Sequence, residues 1–204
     1  EQDIPDEGTL RVSGRSLINA QTTSDVAKSS IQSTALVAGV ILVMLVSIHS
    51  FRQRSLNQGL ARGFVSWIPL MMVVCWVYGI MGFTGYNINP QTVTIGALSL
   101  GLGVDYAVHF TTRLEEEVAH NPHGNQQQWV EQASATTGRA MFGAALTTAG
   151  GFAVLNLSAL LPLRLFGQAF VVAISLALLS SLILIPAFYS SFLRRDSRKY
   201  LEEE

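Results

Sequence analysis

Five stretches of this chain are too long and too apolar to be stable in water. Ser33–Phe51, Gly63–Tyr86, Thr92–Thr112, Ala140–Leu160 and Leu165–Phe192 each approach or exceed the roughly 20 predominantly apolar residues that carry an α-helix across a bilayer. In lipid, every backbone N–H and C=O must be satisfied within its own segment, so an open sheet is excluded. The expected fold is therefore an all-α polytopic membrane protein with five transmembrane helices. Composition agrees. Hydrophobic residues make up 49% of the 204 and charged residues only 13%, against about 25% in soluble domains. A net charge of −1 gives no electrostatic case for a nucleic-acid partner. The lone Cys75 cannot build a disulfide or a cysteine metal site within one chain. The first span starts at residue 33 without a basic stretch just before it, unlike a signal peptide.

Lys and Arg orient the bundle, because they collect on cytoplasmic loops. Arg52, Arg54, Arg62, Arg113, Arg139, Arg194, Arg195, Arg198 and Lys199 fall on one side; Arg11, Arg15, Lys28 and Arg164 fall on the other. The richer side is expected to be cytoplasmic, with the N-terminus outside and the C-terminus inside, as an odd number of spans requires. Residues 1–32 read as the end of an extracytoplasmic domain and lead-in to the first helix, with Thr22, Thr23 and Ser24 as candidate caps. Residues 33–193 read as the transmembrane domain, with helices at about 33–51, 63–86, 92–112, 140–160 and 165–192; residues 194–204 form a cytoplasmic tail. The polar leader begins abruptly, as expected of one part of a longer protein. Inside the membrane, Pro69 and Pro186 should kink their helices. The long inner connection, Glu115–Gly138, contains the helix break "HNPHGN" and then "QQQWVEQA", expected to lie along the membrane surface with Trp129 at the interface.

Asp105 is the one acidic residue inside any of the five spans. A carboxylate at mid-bilayer costs a few kcal/mol or more, and such residues by default mark ion or proton paths or internal charge pairs. Ala97, Gly101, Asp105 and His109 recur every four residues and share one helix face, small enough above Asp105 for another helix to approach closely. Ser99 and Gly103 make a second small pair, while Leu100, Val104 and Val108 point elsewhere. This arrangement predicts a centrally packed helix with its carboxylate turned towards protein or water. Tyr106 lies about 100° further round the helix, free to hydrogen-bond or to pack. His109, with a reference pKa near 6.5, is either a further proton carrier or a polar residue at the interface. In the next span, Thr147 and Thr148 sit beside Gly150 and Gly151; they either partner the acid or bond back to their own helix. Asn156 is a further polar candidate nearer the outer surface.

Other signals are weak. His120 and His123 have no completing ligands for a metal. "EEE" at residues 115–117 reads as a solvated helix end. Walker, GxSxG and HExxH motifs are absent from the sequence, so ATP-driven transport and hydrolysis have no support.

Three ordered blocks, "GALSLGLGVDYAVHFTTRLEEE", "TGRAMFGAALTTAGGFAVLNLS" and "LRLFGQAFVVAISLALLSSLILIPAF", resemble the resistance–nodulation–division (RND) superfamily. The likeness is to its MMPL-type and hopanoid-exporter-like branch, related to the sterol-sensing-domain proteins. It implies two similar halves, each with one helix, a large extracytoplasmic domain and five further helices. This chain is similar to the last five helices of one six-helix half. The resemblance implies export of lipids or other hydrophobic molecules driven by proton influx, with H+ as coupling ion and no bound cofactor or enzymatic activity. The relay would fall on Asp105 and Tyr106, with Thr147 and Thr148 from the next helix and His109 as a further candidate. Ala97, Gly101, Gly103, Gly150 and Gly151 would pack the helices around it. Implied partners are membrane lipids, the hydrophobic cargo, and the other six-helix half or a second copy, in the cell membrane. Two rival expectations are a sterol- or lipid-sensing module without pumping and an auxiliary subunit of protein translocation.

Overall fold

The computed structural model describes residues 15–53, 56–85 and 90–202. The leader before residue 15, Arg54 and most of the "NINPQ" turn lie outside the described residues. Every element among those described is helical: α1 Arg15–Gln53, α2 Leu56–Phe83, α3 Pro90–His120, α4 Gln126–Ala133, α5 Arg139–Ala153, α6 Leu161–Leu179 and α7 Ile185–Glu202. Five-residue π-turns at Ser134–Gly138 and Ser180–Leu184 join α4 to α5 and α6 to α7, and a 3-10 turn, Val154–Leu157, closes α5. Four stretches are long and apolar enough to cross a membrane: Ile31–Arg52, Leu56–Phe83, Gln126–Leu157 and Leu161–Ser190. The chain is an all-α, multi-pass membrane protein. Of the five spans expected, the one in α3 is not among these four, which are drawn from the described residues.

Helix α3 packs against α1, α2, α6 and α7, and α6 packs against α2, α3 and α5. The core therefore runs through Leu70, Val73 and Val77 of α2, Leu100, Ala107, Phe110 and Leu114 of α3, and Ala173, Ile174 and Ala177 of α6. The α1–α2 hairpin closes on Gly59 and Gly63, which stand one turn apart in "GLARG". A Cβ on Gly59 would run into Ser50 Oγ and lie 2.6 Å from Ser50 Cα; one on Gly63 would lie 2.8 Å from Val46 Cα. Backbone thus meets backbone without side chains between them, as small-xxx-small pairs allow. Further along, Trp67 Nε1 donates to Ala38 O at 2.9 Å. On the far side, α5 meets α6 through Gly167, whose added Cβ would lie 2.6 Å from Phe152 O, and through the rings of Phe152 and Phe170, 4.0 Å apart.

Two expectations change. Thr22, Thr23 and Ser24 are not caps: α1 starts at Arg15 and runs unbroken through them. Residues 126–133 are not a separate surface helix either, since α4 continues through the π-turn into α5. Trp129 is only 3% exposed and donates Nε1 to Asn121 O at 2.9 Å, so it holds the turn that follows α3 rather than anchoring an interface. The break at "HNPHGN" does fall between α3 and α4. There Asn125 caps α4 by accepting from Gln128 N, and Gln128 Oε1 accepts in return from Asn125 N. Replacing Asn125 with Ala should cost about 1 kcal/mol. In a thermal melt in detergent this should appear as a lower midpoint, with Trp129 emission shifting to the red before the global transition. Of the two prolines, Pro69 lies within α2, where its carbonyl accepts from Ser180 Oγ at 3.1 Å, and Pro186 lies just beyond the second π-turn.

Candidate functional site

Two groups of polar side chains sit on α3. The first surrounds its midpoint: Asp105 is the sixteenth of the 31 residues of α3, about 22 Å from either end at 1.5 Å per residue. Its neighbours on the helix sort as the four-residue spacing predicts. Gly101, Asp105 and His109 are all exposed and Ala97 is half-buried, while Leu100, Val104 and Ala107 are buried. The expected central packing is therefore only half right. The apolar face of α3 is enclosed, but among the described residues the face bearing Asp105 lies on the outside of the bundle. A Cβ on Gly101 would meet nothing within 4 Å, whereas one on Gly103 would lie 3.0 Å from Leu70 Cδ2. Gly103 thus packs α3 onto α2 and α6, and Gly101 borders open space.

Tyr106 is turned inward, 8% exposed, and belongs to the core. It lies on a different face from Asp105 and His109. Thr147 is exposed and Thr148 half-buried, and both donate back to their own helix, to Gly143 O and Ala144 O at 2.9 Å each. Added Cβ atoms on Gly150 and Gly151 would meet nothing within 4 Å. Asn156 donates to Ala153 O and finishes its own helix. Because α5 packs chiefly on α6, this chain alone does not bring the threonines and Asp105 into one tight cluster. Among the described residues, no group of three or more His, Cys, Asp or Glu could hold a metal ion.

The second group lies at the Arg-rich end of the bundle, where reading "EEE" as solvated was wrong. Glu116 is exposed, but Glu115 and Glu117 are buried, at 8% and 4% exposure. Glu115 Oε1 accepts from Arg62 Nη1 of α2 at 3.1 Å and from Tyr189 OH of α7 at 2.5 Å. Its Oε2 lies 3.3 Å from Arg52 Nη2 of α1, whose Nη1 donates to Thr112 Oγ1 at 2.9 Å. Arg62 is 1% exposed and Tyr189 fully enclosed. The Arg62 guanidinium also lies over the rings of Tyr189 and Phe192, 5.9 and 5.4 Å from their centroids. Next to Tyr189 stands the buried His49, its Nδ1 within 2.9 Å of Leu45 O. Glu117 pairs with Arg113. A buried charge persists only if paired and hydrogen-bonded, and Glu115 meets both conditions by drawing on three other helices.

The sequence did hold a signal for this cluster. Ala107, Phe110, Thr111, Leu114 and Val118 are the buried stripe of α3, and Glu115 follows Thr111 by one turn. Likewise Arg62 directly precedes Gly63, at the closest approach of α1 and α2.

Comparison with known proteins gives a family match for the chain. The model of the MMPL family matches residues 1–203. A protein of Methanocaldococcus jannaschii, named only as a membrane protein, is 30% identical over 156 residues, which are 76% of this chain. The matched part spans 38% of that relative's length.

Proposed function

Because the chain belongs to the MMPL family, a transporter-related family of RND type, we propose that it is the membrane part of a proton-driven exporter of lipids or other hydrophobic molecules. Asp105 binds and releases the proton, with Tyr106, His109, Thr147 and Thr148 as the polar groups near its depth. The observation that carries this reading is a carboxylate at the midpoint of α3, exposed on a face that no helix among the described residues covers. A charge at that depth is costly in lipid, so the face is expected to lie against protein or a water-filled crevice. The partner we propose is the other six-helix half of the transporter, or a second copy of this one. Small Gly101 on α3 and Gly150 and Gly151 on α5 leave it room to approach. On this reading α3 is the fifth crossing, the Arg-rich end is cytoplasmic, and α1 enters from outside. A change of one charge in such a seam shifts the balance between two packings. No catalytic step is proposed.

The test is export by the full-length protein in sealed vesicles, with and without an imposed proton gradient. Export should stop when an uncoupler collapses the gradient. Activity that is insensitive to the gradient would favour a lipid-sensing module of the same fold, in which Asp105 only hydrogen-bonds across the seam.

A further inference from the structure

The proton step uses the middle of α3 and leaves the cluster at its Arg-rich end without a role. The two places differ in how tightly α3 is held. Around Asp105, one face of the helix is open, and the other packs through apolar contacts alone: Gly103 on Leu70 and Ala177, with Val104 and Ala107 buried beside it. At Glu115, ten residues and about 15 Å further on, both oxygens of a buried carboxylate are held by side chains from α1, α2 and α7. Arg62 is fixed in turn by the rings of Tyr189 and Phe192, and α1 and α2 are locked together beside it by Gly59 and Gly63.

We propose that Glu115 is the pivot of α3, a positioning residue that holds the Arg-rich end of the helix to α1, α2 and α7 while the stretch around Asp105 and the opposite end move. The geometry supports a lever. A tilt about Glu115 displaces the far end of α3, 25 residues away at Pro90, about two and a half times as far as Asp105 for a helix of constant rise. The pivot keeps a charge change at Asp105 from being lost as a slide of the whole helix. It rests on the proton reading for its purpose, but not for its existence.

The experiment uses spin-label distances in the full-length protein in nanodiscs, with Cys75 and any other native cysteine replaced. One label pair, at exposed Phe51 and His120, reports the Arg-rich end; another, at exposed Leu36 and Leu98, reports the other half of α3. The perturbation is Asp105→Asn, which fixes the neutral state. Glu115→Gln alone leaves Arg62 buried without its counter-charge and endangers folding, so the variant used is Arg62→Leu with Glu115→Gln. This removes both buried charges and keeps an oxygen for the Tyr189 hydroxyl.

In the parent protein, Asp105→Asn should shift the Leu36–Leu98 distances and leave the Phe51–His120 distances narrow and unmoved. In the double variant, the Phe51–His120 distances should broaden and the Asp105→Asn shift should reach them. Proton-driven export should fall even where the melting temperature does not. A double variant with Phe51–His120 distances as narrow as the parent's overturns the pivot, as does a parent protein in which that pair moves with Asp105→Asn. If Asp105→Asn moves neither pair yet the double variant still loosens the Arg-rich end, Glu115 anchors α3 but nothing turns about it, and the pivot falls together with the proton step. A parent shift at Leu36–Leu98 with no loosening in the double variant overturns the pivot alone.

Discussion

With Asp105 replaced by Asn, the full-length protein should reach the membrane and fold, yet export nothing above the background of vesicles without protein. Asn matches Asp in size and hydrogen-bonding shape but cannot gain or lose a proton in this range. Placing the carboxylate near the middle of a membrane helix costs about 2.5–3.5 kcal/mol on insertion scales, so its removal should leave thermal stability equal or higher. The two readouts therefore move in opposite directions, which a purely structural acid would not do. Asp105→Glu keeps a titratable group but displaces it by a methylene, and should retain part of the activity. His109→Gln, one turn away on the same exposed face, should cost less than Asp105→Asn. Export by the Asn variant at the parent rate would end the proton-carrier reading.

Gly59→Ala should be the most damaging methyl group that can be added to the α1–α2 hairpin. The new Cβ would fall 2.6 Å from both the N and Cα of Ser50, backbone atoms that no rotamer change can clear. Overpacking typically costs roughly 1–3 kcal/mol, and this position should lie at or above the top of that range. The cost extends beyond the contact, since spreading the hairpin carries Arg52 and Arg62 away from Glu115 and leaves a buried carboxylate short of partners. Gly39→Ala is the matched control: it is also helical, with nothing within 4 Å of its added Cβ, and Ala is the better helix former by about 1 kcal/mol. Melting curves in detergent should show a large drop for the first and none for the second. Equal midpoints would mean that α1 and α2 do not approach as closely as described.

The fold class was legible in the sequence because the physics of lipid leaves few alternatives: long apolar runs without internal partners become helices. The half-buried character of α3 was legible too, since the four-residue spacing of Ala97, Gly101, Asp105 and His109 separates them from Leu100 and Val104. Whether the Asp105 face is covered was not legible. Small residues permit a close neighbour, but they do not say whether this chain supplies it. Glu115 was misread because three acids in a row look alike by composition, whereas helical geometry sends Glu115 inward and Glu116 outward. The joining of α4 to α5 was missed for a related reason. Polar "QQQWVEQA" reads as a surface segment until the asparagine cap and the Trp129 hydrogen bond are seen to hold it against the bundle.

The π-turn at Ser180–Leu184 has a consequence for how relatives of this chain should be aligned. A wide turn inserts one residue into the helix ladder, and one residue is about 100° of rotation. A helical wheel drawn through α6 and α7 without a break therefore changes phase at residue 180, and it points Tyr189 away from where the structure has it. A relative with one residue fewer between Ser180 and Leu184 is expected to run as plain α-helix there. The residue it presents to the counterpart of Glu115 would then align with Tyr189 only when the single-residue gap is placed within the turn.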